Sequence, residues 1–377
     1  MSKVIIISNT SWNLFNFRLP LMSRLREEGY EIVAVAPFDE YANRLSDTGF
    51  RYIDLPMNNK GTNPVEDVGL AIRLFKLFRS ERPDVVLTYT PKPNIYASIA
   101  GGFSGTPVIP NISGLGATFI RQDVITKIIK FLYRWALRYP PRVFFQNHDD
   151  MNQFIALGLV KEVKTQRIPG SGINTTVYAP EDNVESEEHG FVFLLVARML
   201  WDKGVGEYVE AARIVKQKYP NARFQLLGFL DVINPQAISR EQMQKWVDEG
   251  VVEYLGVSDD VKSHMQSADC VVLPSYREGL PRTLIEAGSL AKPIVTTDVP
   301  GCRDVVDNGV TGYLCEVKNA CDLADKMERM ICLTSAQRRK MGESGREKVE
   351  REFDEKIVIN CYLKELELIT GNKTNLY

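Results

Sequence analysis

The chain has 377 residues, of which 44% are hydrophobic and 25% charged, and its formal net charge is −2. This length is too great for one ordinary core and predicts two domains of about 180 residues each. The composition places the chain among soluble globular proteins. No apolar run approaches the roughly 18 residues that a membrane-spanning helix needs, which excludes such a span.

The N-terminus and the cysteines indicate the compartment. The apolar run Val4–Ile7 is far too short for the core of a signal peptide. All 6 cysteines fall in the second half, without a Cys-x-x-Cys pair, so neither a disulfide framework nor a zinc site is indicated. We therefore expect a cytoplasmic protein with reduced thiols.

Charge is distributed unevenly along the chain. Residues 1–180 contain 21 Lys and Arg against 15 Asp and Glu, a balance of +6. The remaining residues contain 25 against 33, a balance of −8. A basic half of this kind can face nucleic acid, an anionic membrane or a charged substrate.

Short apolar runs alternate with helical patterns through both halves of the chain. This alternation predicts parallel sheets with helices on both faces. The strands predicted in the first half are Val4–Ile7, Ile32–Ala36, Val85–Leu87, Val108–Ile109 and Val143–Phe145. Those predicted in the second half begin at Phe191, Phe224, Val251, Val271 and Ile294.

The predicted boundary between the halves is the acidic stretch 179–190, which has no apolar period. The predicted domains are therefore 1–180 and 190–355, followed by a last segment, 356–377. Residues 356–369 of that segment have the length and apolar spacing of one more helix.

The segment 125–139 carries much of the basic character of the first half. Its basic residues recur every three or four positions and form one stripe along a helix, with two aromatic residues beside it. These residues are Lys127, Lys130, Arg134 and Arg138, with Phe131 and Trp135. The opposite face is expected to hold Ile125, Ile128, Ile129, Leu132 and Ala136.

Such a stripe predicts a helix that lies on an anionic bilayer. The alternative is an amphipathic surface helix whose apolar face only packs on the sheet. Residues 70–79 predict a second helix that combines basic and apolar residues. The two segments together favour contact with a membrane.

Charged residues follow two predicted strands of the second half. Arg198 and Lys203 come after the first strand of that half, and Glu278 follows a later one. Glu286 lies about one turn inside the next helix, where Pro281 suits the first turn because its missing N–H would be unpaired there. Ligands collect outside the carboxyl ends of parallel strands, and helix N-termini attract anions. The pattern predicts a site for a ligand with phosphate and hydroxyl groups.

Two other interpretations of these charges stay open for the isolated motifs. Arg198 and Lys203 could be solvated loop charges. Glu278 and Glu286 could be carboxylates that only stabilise a helix terminus.

A dehydrogenase is the natural competitor for such sheets, but its dinucleotide fingerprint is absent. The loop Ser8–Asn13 after the first strand contains no glycine. Gly114 and Gly116 have Phe119 where a third glycine would fall, and no P-loop motif occurs. These departures disfavour an NAD enzyme.

The motifs of the second half, taken in order, resemble the nucleotide-sugar half of retaining glycosyltransferases of family 4. They are Arg198 with Lys203–Gly204, Leu226–Gly228, Tyr254–Gly256, Ala268–Asp269 and Glu278 with Glu286. The resemblance implies the GT-B fold, an α/β architecture of two doubly wound Rossmann-like domains that face a cleft. In that fold a C-terminal helix crosses back to the first domain, and residues 356–369 would form it.

The resemblance implies a retaining, metal-independent hexosyltransferase that uses a UDP-sugar as donor substrate and no other cofactor. Arg198 and Lys203 would stabilise the leaving diphosphate, Glu278 would hold a hydroxyl of the donor sugar, and Glu286 the ribose. No Asp-x-Asp motif that would hold a metal occurs. The further donor-binding residues implied are Gly114, Gly116, Gly228, Leu255, Gly256, Ser275, Gly279, Leu280, Pro281 and Thr283.

Loops of the first half resemble the branch of this family that elongates sugars linked to polyprenyl diphosphate, including undecaprenyl-diphospho-bacillosamine. The loops are Phe17–Pro20, Tyr89–Asn94, Ser113–Gly116 and Phe145–Asp150. The acceptor-binding candidates are Asn9, Asn13, Arg18 and Lys92. Arg18 and Lys92 could hold the lipid diphosphate or could each form a structural ion pair.

This branch implies addition of an N-acetylhexosamine to a lipid-linked saccharide in bacterial glycan assembly. The expected location is peripheral, on the cytoplasmic face of the inner membrane, with no nucleic-acid partner. One departure is Ser113, where many family members carry histidine, and His148 follows a different strand and cannot be assumed to replace it.

Three other activities are distinguishable from this one. A soluble enzyme of the same fold, making a polysaccharide or a small glycoside, would lack membrane affinity. An inactive nucleotide-binding subunit would bind UDP without consuming a UDP-sugar. A glycosidase would need an acid and a carboxylate flanking the scissile bond, whereas the acids here are assigned to donor hydroxyls.

Overall fold

The structure of the chain is a computed structural model, which describes residues 1–58, 63–115, 124–181, 190–232 and 234–371. The chain divides into two compact units. The first consists of Met1–Ser171 with Glu355–Tyr377, and the second of Gly172–Asp354.

The first unit alternates strands and helices in chain order. Its strands are β1 (Lys3–Ile7), β2 (Glu31–Ala36), β3 (Arg51–Asp54), β4 (Val85–Tyr89), β5 (Val108–Ile112), β6 (Val143–Phe145) and β7 (Thr165–Arg167). The helices of this unit before Ser171 are α1 (Ser11–Glu27), α2 (Glu40–Asp47), α3 (Pro64–Glu81), α4 (Pro91–Ser104), α5 (Val124–Ala136) and α6 (His148–Ala156).

The second unit repeats the alternation. Its strands are β8 (Val192–Val196), β9 (Arg223–Leu227), β10 (Glu253–Tyr254), β11 (Cys270–Leu273), β12 (Ile294–Thr297) and β13 (Gly312–Cys315). Its helices are α7 (Val205–Lys218), α8 (Arg240–Asp248), α9 (Val261–Gln266), α10 (Arg282–Ser289), α11 (Cys302–Val305), α12 (Ala320–Cys332) and α13 (Ser335–Glu352). The last helix, α14 (Glu355–Thr370), belongs to the first unit.

Each unit is built on one parallel sheet. The first sheet has the order β3-β2-β1-β4-β5-β6-β7 and the second β10-β9-β8-β11-β12-β13. In the first sheet, Val4 of β1 lies opposite Ile32 of β2 and Val85 of β4. Apolar clusters cover both faces of each sheet. These doubly wound parallel sheets confirm the predicted fold class.

All ten predicted strands are present, and the described residues contain three more that were not predicted. These three, β3, β7 and β13, lie at sheet edges. β3 and β7 are short and contain no buried residue, so they lack the apolar run that marks an interior strand.

Helix α14 packs into the core of the first unit, as the sequence predicted. Tyr362 stacks edge-to-face on Phe144 of β6, with 4.9 Å between ring centroids. The Asn111 side-chain amide donates a hydrogen bond to the Tyr362 hydroxyl at 2.9 Å. The helix is therefore held by both apolar packing and a buried polar contact.

The chain leaves the first unit between Ser171 and Gly172, earlier than the predicted linker. The residues just after this point are bound to the second unit. The Ile173 N–H donates to the Phe353 carbonyl at 3.0 Å, and the Thr175 hydroxyl donates to Asp354 at 2.7 Å. Residues 182–189 of the predicted linker lie outside the described residues.

Candidate active site

The strands β8 and β11 are neighbours in the second sheet, with Phe193 opposite Cys270. Their carboxyl ends therefore lie side by side. The loop after β8 carries Arg198 and Lys203, and the loop after β11 carries Glu278. Ligand-binding residues collect at this edge of open parallel sheets.

Lys203 and Glu278 meet at this edge and form an ion pair between Nζ and Oε1. Both side chains are largely shielded from solvent, at 17% and 14% exposure. The Ser275 hydroxyl donates to the same Glu278 oxygen at 2.8 Å. The Tyr276 N–H donates to the Asp202 carbonyl at 2.9 Å, which ties the two loops together.

The tight approach of these loops explains the glycine that comes after Lys203. Gly204 has φ +71°, and a Cβ there would lie 2.0 Å from the carbonyl oxygen of Pro274. Because no side chain fits in that space, Gly204 lets the Lys203 loop lie directly on the end of β11.

Arg198 differs from Lys203 in its surroundings. It is exposed, and its guanidinium forms no ion pair or side-chain hydrogen bond within the ranges that the structure describes. The second unit therefore presents one paired and one unpaired cation beside the same pair of strands.

The predicted residues after β9 and β10 lie at the same edge of the second sheet. The Gly228 N–H donates to the Gly256 carbonyl at 2.7 Å, and the Tyr254 hydroxyl donates to the Gly228 carbonyl at 2.8 Å. The Leu255 N–H donates to the Leu226 carbonyl at 2.8 Å. These contacts join the two loops into one surface.

Helix α10 begins at Arg282, and Pro281 is its N-cap, one position before the predicted first turn. The Thr283 hydroxyl donates to the Val196 carbonyl at 3.3 Å, which places the start of α10 beside the end of β8. Gly279 lies in the loop before it, and Leu280 is buried in the apolar cluster beneath. Leu280 is thus a core residue as well as a loop residue.

Glu286 lies on α10 with its side chain largely shielded from solvent, at 12% exposure, and it has two polar partners. Arg282 Nε donates to Glu286 Oε1 at 2.8 Å. Burial raises the pKa of Glu286, whereas Arg282 and a hydrogen bond from Tyr178 lower it. Neither Arg282 nor Tyr178 was among the site residues predicted from the sequence. The four-residue spacing of Arg282 and Glu286 was a usable signal, but nothing in the sequence marks Tyr178.

In the first unit, the predicted acceptor residues lie around the carboxyl ends of β1 and β4. Asn9 follows β1, and Asn13 accepts a hydrogen bond from the Ser8 hydroxyl at 3.0 Å. Gly114 follows β5 with φ +125°. Gly116 lies outside the described residues.

Arg18 and Lys92, which the sequence treated alike, have different surroundings. Lys92 forms an ion pair with Asp67 at 2.7 Å, the structural alternative that the sequence left open. Arg18 is only 4% exposed, and its guanidinium lies 3.8 Å above the centroid of the Tyr89 ring. Within the described residues Arg18 has no carboxylate partner, and its buried Nε has no hydrogen-bond acceptor. A buried cation of this kind is costly unless an anion joins it.

The orientation of α5 differs from the alternative in which its apolar face only packs on the sheet. Ile125 and Ile128, which the sequence assigned to that apolar face, are 46% and 53% exposed. The buried face instead contains Tyr133, whose ring packs edge-to-face on Phe154 at 5.2 Å. That large aromatic side chain determines which side of the helix enters the core.

The solvent side of α5 therefore combines apolar and basic residues. Phe131 is 67% exposed, next to the exposed Ile125 and Ile128. Lys127, Arg134 and Arg138 are also exposed, whereas Lys130 and Trp135 are half-buried. Arg134 also donates to the Leu157 carbonyl at 2.7 Å.

Helix α3 has a similar solvent face. Val65, Val68, Ile72 and Phe75 recur at helical spacing and are 79%, 59%, 50% and 37% exposed. Leu70, Leu74 and Phe78 of the same helix are buried.

No helix of the described residues is long and apolar enough to cross a membrane. Among these residues there is also no group of three or more His, Cys, Asp or Glu placed to hold a metal ion.

Two doubly wound units with a Lys–Glu pair at the strand ends of the second one define a glycosyltransferase of GT-B type. The glycosyl transferases group 1 family matches residues 181–348, and the glycosyl transferase 4-like domain matches residues 18–170. The chain belongs to this glycosyltransferase family and is a hexosyltransferase.

Relatives of the chain act in bacterial glycan assembly. It is 29% identical to the N,N'-diacetylbacillosaminyl-diphospho-undecaprenol alpha-1,3-N-acetylgalactosaminyltransferase of Campylobacter jejuni, over 97% of this chain and 98% of that protein. It is 27% identical to the capsular polysaccharide biosynthesis glycosyltransferase CapM of Staphylococcus aureus, over 80% and 83%. The resemblance to the polyprenyl-diphosphate branch is confirmed by the first of these.

Solved structures of similar fold include a glycosyltransferase and a protein in complex with UDP. One is a glycosyltransferase from Rickettsia africae, with a TM-score of 0.79, 18% identity and 99% coverage of both chains. Another is Anabaena Alr3699/HepE in complex with UDP, with a TM-score of 0.75, 17% identity, and coverage of 97% of this chain and 99% of that one.

Proposed function

We propose that this hexosyltransferase moves an N-acetylhexosamine from a UDP-sugar to a saccharide linked to polyprenyl diphosphate, with retained configuration. The observation that carries the proposal is the meeting of Lys203 and Glu278 beside Arg198 and the start of α10. The acceptor class is supported by the printed activity of the Campylobacter relative. The UDP donor is supported by the UDP-bound Anabaena protein of the same fold.

The donor diphosphate would be held by Arg198, Lys203 and the N–H groups at the start of α10. Negative charge builds on this diphosphate as it leaves, and each preorganised donor can stabilise that charge by about 3 kcal/mol. Lys203 exchanges its contact with Glu278 for the diphosphate. Glu278 is then released to accept a hydrogen bond from a hydroxyl of the donor sugar.

The uridine end of the donor would lie along the rest of the same sheet edge. Glu286 accepts hydrogen bonds from the ribose hydroxyls, and the loops at Gly228, Leu255 and Gly256 approach the base. Ser275 keeps the Glu278 carboxylate in place. Because the fixed cations supply the charge stabilisation, the reaction requires no metal and no further cofactor.

The transfer follows a same-face course. The acceptor hydroxyl oxygen forms a bond to the anomeric carbon while the bond from that carbon to the diphosphate oxygen breaks. The hydroxyl proton passes to the leaving diphosphate, so that UDP is released and the configuration is retained. The chain needs no carboxylate nucleophile for this course.

Arg18 would bind the diphosphate of the lipid-linked acceptor. Its guanidinium is buried on Tyr89 without a carboxylate partner among the described residues, so an arriving anion satisfies its charge. Lys92 is less suited to this role because Asp67 already neutralises it. Asn9 and Asn13 lie at the neighbouring strand end and would contact the acceptor sugars.

The solvent faces of α5 and α3 would bring the enzyme to its lipid substrate. Ile125, Ile128 and Phe131 enter the headgroup region, and Lys127 and Arg138 contact anionic lipids. Each such basic residue contributes about 1 kcal/mol near an anionic surface. The enzyme would then lie peripherally on the cytoplasmic face of the inner membrane.

The proposal is tested by incubating the protein with a panel of UDP- and GDP-sugars and a polyprenyl-diphosphate-linked saccharide. Formation of an extended lipid-linked product from one UDP-N-acetylhexosamine is the expected result. Binding of UDP without consumption of any sugar would identify an inactive subunit. Transfer only to water-soluble acceptors would identify a soluble enzyme of the same fold.

A further inference from the structure

Helix α10 contains an ion pair whose members differ in exposure. The Arg282 side chain is 26% exposed and that of Glu286 12% exposed. Because the two residues are four positions apart, they lie on the same face of the helix. Side chains lean toward the helix N-terminus, so Glu286 points toward the start of α10.

Tyr178 contacts the Arg282–Glu286 ion pair from a neighbouring segment. Its carbonyl accepts hydrogen bonds from the Ser289 hydroxyl at 2.7 Å and from Arg346 at 3.2 Å. These contacts fix the segment before the described range ends at residue 181 against α10 and α13. The Tyr178 hydroxyl thereby reaches Glu286.

The charge state of Glu286 depends on few groups. Burial raises its pKa, and Arg282 followed by the Tyr178 hydroxyl lowers it. On α13, Arg346 binds the carbonyls of Tyr178 and Ser289 and pairs with Glu350.

Within the described part of the chain, the other elements packed on α10 contribute no second cation to this carboxyl. On α11, Arg303 is engaged with Asp298, and Asp304 accepts the N–H of Gly301. The described residues of β11 and β12 carry no charged side chain. Arg282 is therefore the cation that compensates Glu286.

We infer that Arg282 is a positioning residue of the donor site, which keeps Glu286 in place as a carboxylate able to accept hydrogen bonds from ribose hydroxyls. The inference rests on the proposed function, in which Glu286 binds the donor ribose. A buried carboxylate without a compensating cation takes up a proton in preference to staying charged. A protonated Glu286 has lost one of the acceptors that two ribose hydroxyls require.

The test compares UDP binding by calorimetry in the wild-type chain and in Arg282→Met and Arg282→Lys. The ratio of each variant Kd to the wild-type Kd is measured from about pH 8 to about pH 5.5. The terminal phosphate of UDP titrates in all samples, so its effect cancels in the ratio.

Loss of the Arg282 cation determines the direction in which the Kd ratio changes with pH. Without Arg282 the pKa of Glu286 rises further, so the carboxylate is lost at a higher pH than in the wild type. The Kd ratio for Arg282→Met should therefore grow by about tenfold as pH falls over this range. Arg282→Lys keeps the charge and should show a nearly constant ratio. In the Glu286→Gln background, Arg282→Met should add no pH dependence.

The outcomes separate this inference from the proposal on which it rests. A ratio for Arg282→Met that does not change with pH would overturn the inference. If Glu286→Gln binds UDP as the wild type does at every pH, the ribose role of Glu286 fails instead. If Arg282→Met does not fold, Tyr178→Phe takes its place, because it removes only one hydrogen bond to Glu286. The ratio of its Kd for UDP to the wild-type Kd should rise by about threefold at low pH. A flat ratio for Tyr178→Phe would then count against the inference.

Discussion

Lys203 and Glu278 are 75 residues apart in the chain and form an ion pair at the carboxyl ends of β8 and β11. The pair places a cation and a carboxylate where the donor diphosphate and the donor sugar would lie. Each residue neutralises the charge of the other. Under the proposed function, the donor would replace this contact with its own contacts to both residues.

Replacing Lys203 by Ala should lower kcat/KM for the nucleotide sugar by about two orders of magnitude, because a preorganised donor to the leaving group is lost. Steady-state kinetics with saturating acceptor measures the effect. Lys218→Ala is the control, since Lys218 is 65% exposed and pairs with Glu328 on the surface of the same unit. Half of the wild-type activity in Lys203→Ala would refute the assignment of Lys203.

Replacing Arg18 by Met should lower kcat/KM for the lipid-linked acceptor by about tenfold or more, because a charge-assisted contact to the acceptor diphosphate is lost. UDP binding should not change, since Arg18 belongs to the first unit. Arg26 is a matched control on α1, because its guanidinium also lies over an aromatic ring, 4.2 Å from the Phe50 centroid, but is exposed. Equal acceptor kinetics in Arg18→Met and Arg26→Met would contradict the acceptor role.

Reversing the charge of Lys127 and Arg138 should strongly reduce flotation with anionic vesicles, because each basic residue contributes about 1 kcal/mol at such a surface. Arg134 is left unchanged because it binds the Leu157 carbonyl and so supports the fold. The control reverses Arg339 and Lys340, two exposed basic residues of the second unit. Unchanged flotation of the Lys127 and Arg138 variant would favour helices that only pack on the sheet.

The apolar part of the same surface makes a separate prediction. Phe131→Ser should weaken binding to anionic vesicles by about tenfold or more, because a side chain exposed to 67% would no longer enter the bilayer. Thermal stability should not fall, since Phe131 is not part of the core. A large loss of Tm with unchanged vesicle binding would show that the ring packs against the protein.

Replacing Tyr362 by Phe tests how α14 is held in the first unit. The Asn111 amide would lose its acceptor in a buried site, which costs about 1 to 3 kcal/mol. The Tm of the chain should fall by several degrees in a thermal melt. Tyr139→Phe is the control because Tyr139 is 40% exposed and should change Tm little.

The sequence predicted the parts of the molecule that arise from local patterns. The interior strands and α14 each depend on apolar runs, and the neighbourhood of Lys203 and Glu278 depends on the charged residues directly after strand ends. The edge strands β3 and β7 were missed because partly exposed strands lack such runs. Their existence depends on pairing with a neighbour, which a local pattern does not encode.

Two features of the sites required the three-dimensional packing. Helix α5 has apolar residues on more than one side, so periodicity alone did not reveal that Tyr133 enters the core while Ile125 and Ile128 face solvent. Tyr178 reaches Glu286 because the chain passes into the second unit after Ser171 and packs along α10. No spacing in the sequence links two residues that lie 108 positions apart.

The most direct test of the central claim is the product formed from a radiolabelled UDP-N-acetylhexosamine and a polyprenyl-diphosphate-linked saccharide. We expect transfer of the label to the lipid fraction, with the anomeric configuration of the donor retained and the activity lost in Lys203→Ala. Binding of UDP with no label in the lipid fraction for any donor, or a product of inverted configuration, would contradict it.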